Sequence, residues 1–81
     1  MITAHQTRAA RALLGWTQET LADRAAVSLT ALKRMESVNG ERVYESTADR
    51  VRRALEAAGI VFINSDRQIG VMLNVPDPAR R

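Results

Sequence analysis

Between Arg11 and Glu36 the chain reads RALLGWTQETLADRAAVSLTALKRME, and this stretch constrains the fold more than any other. Its apolar residues recur at helical spacing, yet stop and start signals interrupt every run before it can become a long helix. The pattern predicts a first helix from Ala4 to Leu14, opened by the capping-box pair Thr3 and Gln6 and closed by Gly15. A second helix follows Thr17 as N-cap and runs to Ala25, with Glu19 at its positive end. After a turn at Ala26 and Val27, Ser28 caps a third helix from Leu29 to about Glu36. Helices this short must share one core: Ala9, Ala10, Leu13 and Leu14 on the first, Leu21, Ala22 and Ala25 on the second, Leu32 and Met35 on the third.

Beyond this run, Ser37 to Glu45 is a polar connector with the turn pair Asn39-Gly40. Ser46 and Asp49 have capping-box spacing and predict a fourth helix, Thr47 to Ala58, striped by Val51, Leu55 and Ala58 and ended by Gly59. The character then changes. Ile60 to Ile63 and Gly70 to Val75 are β-prone, and the polar loop Asn64 to Gln68 between them suggests a hairpin. Pro76 and Pro78 forbid a regular continuation, which leaves a flexible tail. The expected architecture is mainly α, a compact bundle of four to five helices with a short C-terminal β-hairpin or dimerising strands. Residues 1–59 form the helical domain, 60–75 the β-prone extension and 76–81 the tail.

Several function classes are excluded or disfavoured. With 81 residues and no cysteine, the chain has room for one small domain and none for disulfides or thiolate zinc sites. The only histidine, His5, has no ligand cluster around it in sequence, no glycine-rich phosphate loop appears, and Ser28 is better explained as a cap than as a nucleophile. Neither an enzyme nor a bound metal or cofactor is expected. No apolar stretch approaches the roughly 18–20 residues of a membrane span, and the first residues lack a signal-peptide pattern. A cytoplasmic location is expected. The formal net charge is +3, and all but one of the 12 basic residues are arginine. That balance permits a nucleic-acid partner, and two copies on one duplex would double the positive charge.

The two-helix unit has the physics of DNA recognition. Its first helix can lie across the backbone while the start of the second enters the major groove, where each base pair shows a distinct donor and acceptor pattern. The stretch R-x3-G-x-T-Q-E-x-L-A followed by V-S-x-x-x-L-x-R-x-E, from Arg11 to Glu36, resembles the Cro/C1-type, or XRE-like, helix-turn-helix regulators. With the flanking helices the resemblance spans roughly residues 4–58. It implies a compact helical bundle that binds double-stranded operator DNA as a dimer. By position it gives Gln18 a phosphate contact and a bracing role, turns Leu29, Thr30 and Arg34 toward bases, and sets Ser28 near phosphate. Arg11 and Glu36 match a partly buried structural ion pair. Two departures stand out. Ala26 occupies a turn position where the family often has glycine; a left-handed conformation there would cost alanine about 1 kcal/mol, and a shifted turn would avoid it. Trp16 replaces a smaller apolar residue.

The side chains themselves suit these roles to different degrees. Arg34 has the fork that pairs with guanine O6 and N7. Thr30 can donate a hydrogen bond or pack on a thymine methyl, or be an ordinary surface residue. Leu29 either meets a thymine methyl or forms the edge of the core. Lys33 and Arg42 are candidates for phosphate, while Arg50, Arg52 and Arg53 must divide between phosphate, solvent and pairing with Asp49 or Glu56. Such phosphate contacts hold register without choosing sequence.

The hairpin segment is too apolar for a free tail. Ile60, Val61, Phe62, Ile63, Val71 and Leu73 are candidate homodimer contacts, with Phe62 as anchor or as a local core aromatic. A two-fold dimer would hold its recognition helices roughly 34 Å apart and read a near-palindrome. The expected function is sequence-specific DNA binding by a small homodimeric transcriptional regulator, a repressor acting by operator occupancy. The alternative is an antitoxin or other protein-binding module, with a toxin or RNA polymerase as partner and DNA secondary.

Overall fold

The computed structural model describes residues 2–37, 39 and 42–76. Helix α1 spans Ala4–Leu14, α2 Gln18–Ala25, α3 Leu29–Met35 and α4 Glu45–Ala57, followed by strands β1 (Ile60–Asn64) and β2 (Ile69–Leu73). The molecule is thus mainly helical, with one antiparallel hairpin in which Phe62 pairs with Val71 and Ile60 with Leu73. Gly40 of the expected connector turn and residues 77–81 of the expected tail lie outside the described residues.

The local signals at the first three helices act as their chemistry dictates. Thr3 accepts the Gln6 backbone N–H while the Gln6 side chain accepts the N–H of Thr3, a complete capping box. Thr17 and Ser28 each accept the N–H three residues on. Helices α1 and α2 both end in a Schellman motif. In α1, Gly15 is left-handed and the Trp16 N–H returns to the Arg11 carbonyl. In α2 the left-handed position is Ala26, at φ 56° and ψ 44°, and the Val27 N–H returns to Ala22.

Of the two conformations open to Ala26 in sequence, the turn takes the unfavourable one, because the return bond of the Schellman motif requires it. Ala26→Gly is therefore expected to stabilise the fold by about 1 kcal/mol. That corresponds to a gain of roughly 4–8 °C in Tm for a small domain. Thermal unfolding followed by circular dichroism measures it; a flat or lowered Tm would show that the alanine carries no strain.

Helix α4 departs from expectation. It starts at Glu45 with Tyr44 as N-cap and has no side-chain cap bond. Ser46 lies inside the first turn, and the Ser46–Asp49 capping box does not form. Asp49 instead holds Arg52 and Arg53, and Arg52 also pairs with Glu56. Pairs of this spacing tie successive turns of one helix face together at modest gain. At the other end Gly59, at φ 104°, lets the chain fold back: a Cβ there would lie 3.0 Å from the Asn74 carbonyl oxygen, and the Asn74 N–H donates to Gly59.

The core joins all the elements. Ala10, Leu21, Leu32, Val51 and Leu55 are fully enclosed, and Ile60 from β1 is buried with them. Phe62, Val71 and Leu73 pack against this cluster from the same face of the hairpin. Polar contacts complete the attachment. The buried Gln6 amide donates to the Ile63 carbonyl, to Asn64 Oδ1 and to the Gly70 carbonyl at 3.2, 2.9 and 3.0 Å. The strands expected as an extension of the helical domain share its core. Strand β1 runs one residue further than expected; β2 begins one residue earlier and stops at Leu73.

Candidate nucleic-acid interface

Helices α2 and α3 are joined by Ala26, Val27 and Ser28, and the inner side of α3 is fixed by Leu32 and Met35 in the core. What remains outward is the face that carries Thr30, Lys33 and Arg34, all exposed. Residues three and four apart on a helix share a face, so the hydroxyl and two cations form one cluster. No acidic partner holds Lys33 or Arg34 among the described residues. An α-helix is about 10–12 Å across with its side chains, a match to a major groove about 12 Å wide.

The end of α3 is anchored from below. Glu36 is buried, and its carboxylate receives both Arg11 Nε at 2.7 Å and Arg11 Nη2 at 2.8 Å. This two-pronged geometry is the strongest form of such a pair. Arg11 Nη1 also donates to the Trp16 carbonyl at 3.2 Å, which ties the α1–α2 corner to the same group. The hydrogen bond to Glu36 raises the Arg11 pKa above its ordinary value against the opposing effect of burial. Gln18 completes the cluster, its Nε2 donating to Glu36 Oε1 at 3.0 Å. Three elements therefore converge on one buried carboxylate: α1 through Arg11, α2 through Gln18, and the residue closing α3.

The other candidate residues fall into distinct environments. Ser28 is exposed, and its hydroxyl accepts the Ala31 N–H. Leu29 is half-buried and packs against the core, the second of the two readings open to it in sequence. Arg42 is exposed in the connector. Tyr44, two residues further on, was not among the sequence candidates and is 82% exposed. A large aromatic so open to water was visible only as a tyrosine outside any apolar stripe. Trp16 is half-buried with the Arg24 guanidinium 5.0 Å from its ring centroid, a cation–π contact that stacks the arginine over its face.

No protein-family model matches the chain. No curated protein matches it either. The chemistry of this surface must be read from its own groups: donors that suit phosphate and base edges, with no cluster of three or more metal-binding side chains among the described residues. No helix among those residues is long and apolar enough to cross a membrane.

The hairpin candidates divide by face. Ile60 is buried in the core of its own chain, so its expected place at a dimer contact is corrected: alternation turns it inward with Phe62, Val71 and Leu73. Val61 and its cross-strand partner Met72 point the other way and are exposed, with Ile63 half-buried on the same side. Met72 was absent from the sequence candidates.

Proposed function

We propose that this chain is a small homodimeric regulator that binds double-stranded DNA sequence-specifically through a helix-turn-helix of the Cro/C1 type, with α3 as recognition helix. Occupying an operator and so blocking transcription is its simplest mode of action. The observation that carries the reading is the outward cluster Thr30, Lys33 and Arg34 on a helix whose opposite side is locked to the core. Such a cluster costs nothing to leave solvated, but its rigid mounting is what base readout needs. In this reading Arg34 contacts a guanine, Thr30 a neighbouring base edge, and Lys33, Arg42 and Ser28 the phosphates. Gln18 braces α3 through Glu36 and offers its remaining amide hydrogen to phosphate. The exposed pair Val61 and Met72 supports dimerisation through the outer face of the hairpin.

Selection of bound duplexes from a random pool, at controlled near-physiological salt, tests the reading. A near-palindromic motif is the expected outcome. Arg34→Ala should then lose about 1–3 kcal/mol of discrimination at one base pair in each half-site, with the fold intact. Recovery of no motif from folded protein would sink the proposal. The same exposed apolar pair favours a second reading, a protein-binding module of the antitoxin kind. In that case binding would be sensitive to Val61 and indifferent to Arg34.

A further inference from the structure

The carbonyl of Ala26 lies beyond the last turn of α2 and has no helical partner to accept. Arg50, on α4, reaches it: Nη1 donates to the Ala26 oxygen at 3.1 Å across 24 residues of sequence. The neighbouring arginines are occupied otherwise, Arg52 by Asp49 and Glu56 and Arg53 by Asp49. Arg50 forms no ion pair among the described residues, and its hydrogen bond goes to a neutral oxygen at the one left-handed non-glycine position of the described chain.

That oxygen belongs to the peptide plane joining Ala26 to Val27. Rotation of this plane re-aims everything after it, and the residues after it are Ser28, Leu29 and Thr30, the leading end of α3. The core holds α3 further along, at Leu32 and Met35, and the buried carboxylate holds its far end. At the leading end the core holds only the half-buried Leu29, and the turn sets the rest of its placement. We infer that Arg50 is a positioning residue: by holding the Ala26 carbonyl it fixes the angle at which the leading end of α3 meets a ligand, without touching that ligand. The inference rests on the DNA-binding reading for its functional consequence and on the turn geometry for its physical one.

Arg50→Met keeps the length of the side chain and removes every donor; Arg50→Lys keeps a charge and a donor. For the Met variant, the ratio of affinity for the selected duplex to affinity for random duplex is expected to fall about fivefold for each half-site, the worth of one ordinary hydrogen bond in each protomer. The slope of log affinity against log salt should stay at its original value, and Lys should restore part of the ratio. An arginine that merely contacted phosphate would instead lower the slope by about 0.9 for each protomer, about 1.8 for the dimer, and leave the ratio unchanged, which would overturn the inference. So would a Met variant that matches the original chain in both. Amide exchange at Val27 and Leu32 supplies a readout without DNA: it should quicken in the Met variant while exchange in α1 holds. If the original chain selects no DNA motif, the proposed function fails, and this exchange alone decides: unchanged protection at Val27 would overturn the bracing role.

Discussion

Arg11→Met is expected to destabilise the fold by about 3–5 kcal/mol, the largest effect of any single side-chain change considered for this molecule. Glu36 is 5% exposed. With Arg11 gone, its carboxylate would keep only the neutral amide of Gln18. A buried charge without its counter-ion must be protonated, draw in water or open the structure, and each option costs folding energy. The Trp16 carbonyl would lose a donor at the same time. Small domains are stable by roughly 5–15 kcal/mol, so the loss is a large part of the whole. Urea unfolding of Arg11→Met, Glu36→Leu and the double variant would measure it. The double variant should recover much of the loss, because it removes the stranded charge along with the pair. A single-variant loss below about 1 kcal/mol would place the pair with ordinary solvated surface bridges. If the double variant is no better than the single, the cost lies in packing of the arginine stem.

Gln6→Leu should cost about 2–3 kcal/mol, nearly all of it at the hairpin. Leucine fills similar space, so little of the cost comes from a cavity. The loss is polar: the Thr3 N–H gives up its acceptor, and the Ile63 and Gly70 carbonyls and the Asn64 side chain give up a shared donor. The capping bond from the Gln6 backbone to Thr3 Oγ1 survives, because it does not use the side chain of residue 6. Helix α1 should therefore persist while β1 and β2 loosen. Hydrogen exchange resolves this, with protection falling at Phe62 and Val71 before Leu21 and Leu32. Uniform loss across the molecule would show that hairpin and helices open as one unit.

These two residues also mark how far the sequence carries. The spacing of Thr3 and Gln6 announced a helix start, and the capping box is there. The same spacing said nothing of the amide on the other side of that glutamine, whose acceptors come from strands at the opposite end of the chain. Thr17, Ser28 and Gly15 could be read because a cap acts on the few residues beside it. Arg11 and Glu36 were paired only through the family resemblance, and their bidentate contact is a tertiary fact. Helix α4 shows the limit of local signals: Ser46 and Asp49 have the right spacing, but the chain enters the helix two residues earlier, and the nearby arginines claim the aspartate. In β1 the alternation of side chains was legible, but both faces are apolar, with Ile60 and Phe62 on one and Val61 and Ile63 on the other. Period alone could not say which face the helices would cover. Arg50 was one of three arginines on a charged helix, and nothing near it in sequence points to Ala26.

The reach of Gln6 also sets a timetable for synthesis. Its side-chain partners lie 57, 58 and 64 residues downstream. A ribosome that has just delivered all four helices has still not delivered the acceptors that α1 needs, nor Ile60, which closes the core. Contacts so distant in sequence form late and slow the folding of small domains. Helix α1 must therefore wait for β2, with its amide held by water alone and an open apolar seam during the interval. The nascent chain is then at its most exposed to proteases and to sticking, so any chaperone that shields the seam would have to act before β2 leaves the exit tunnel.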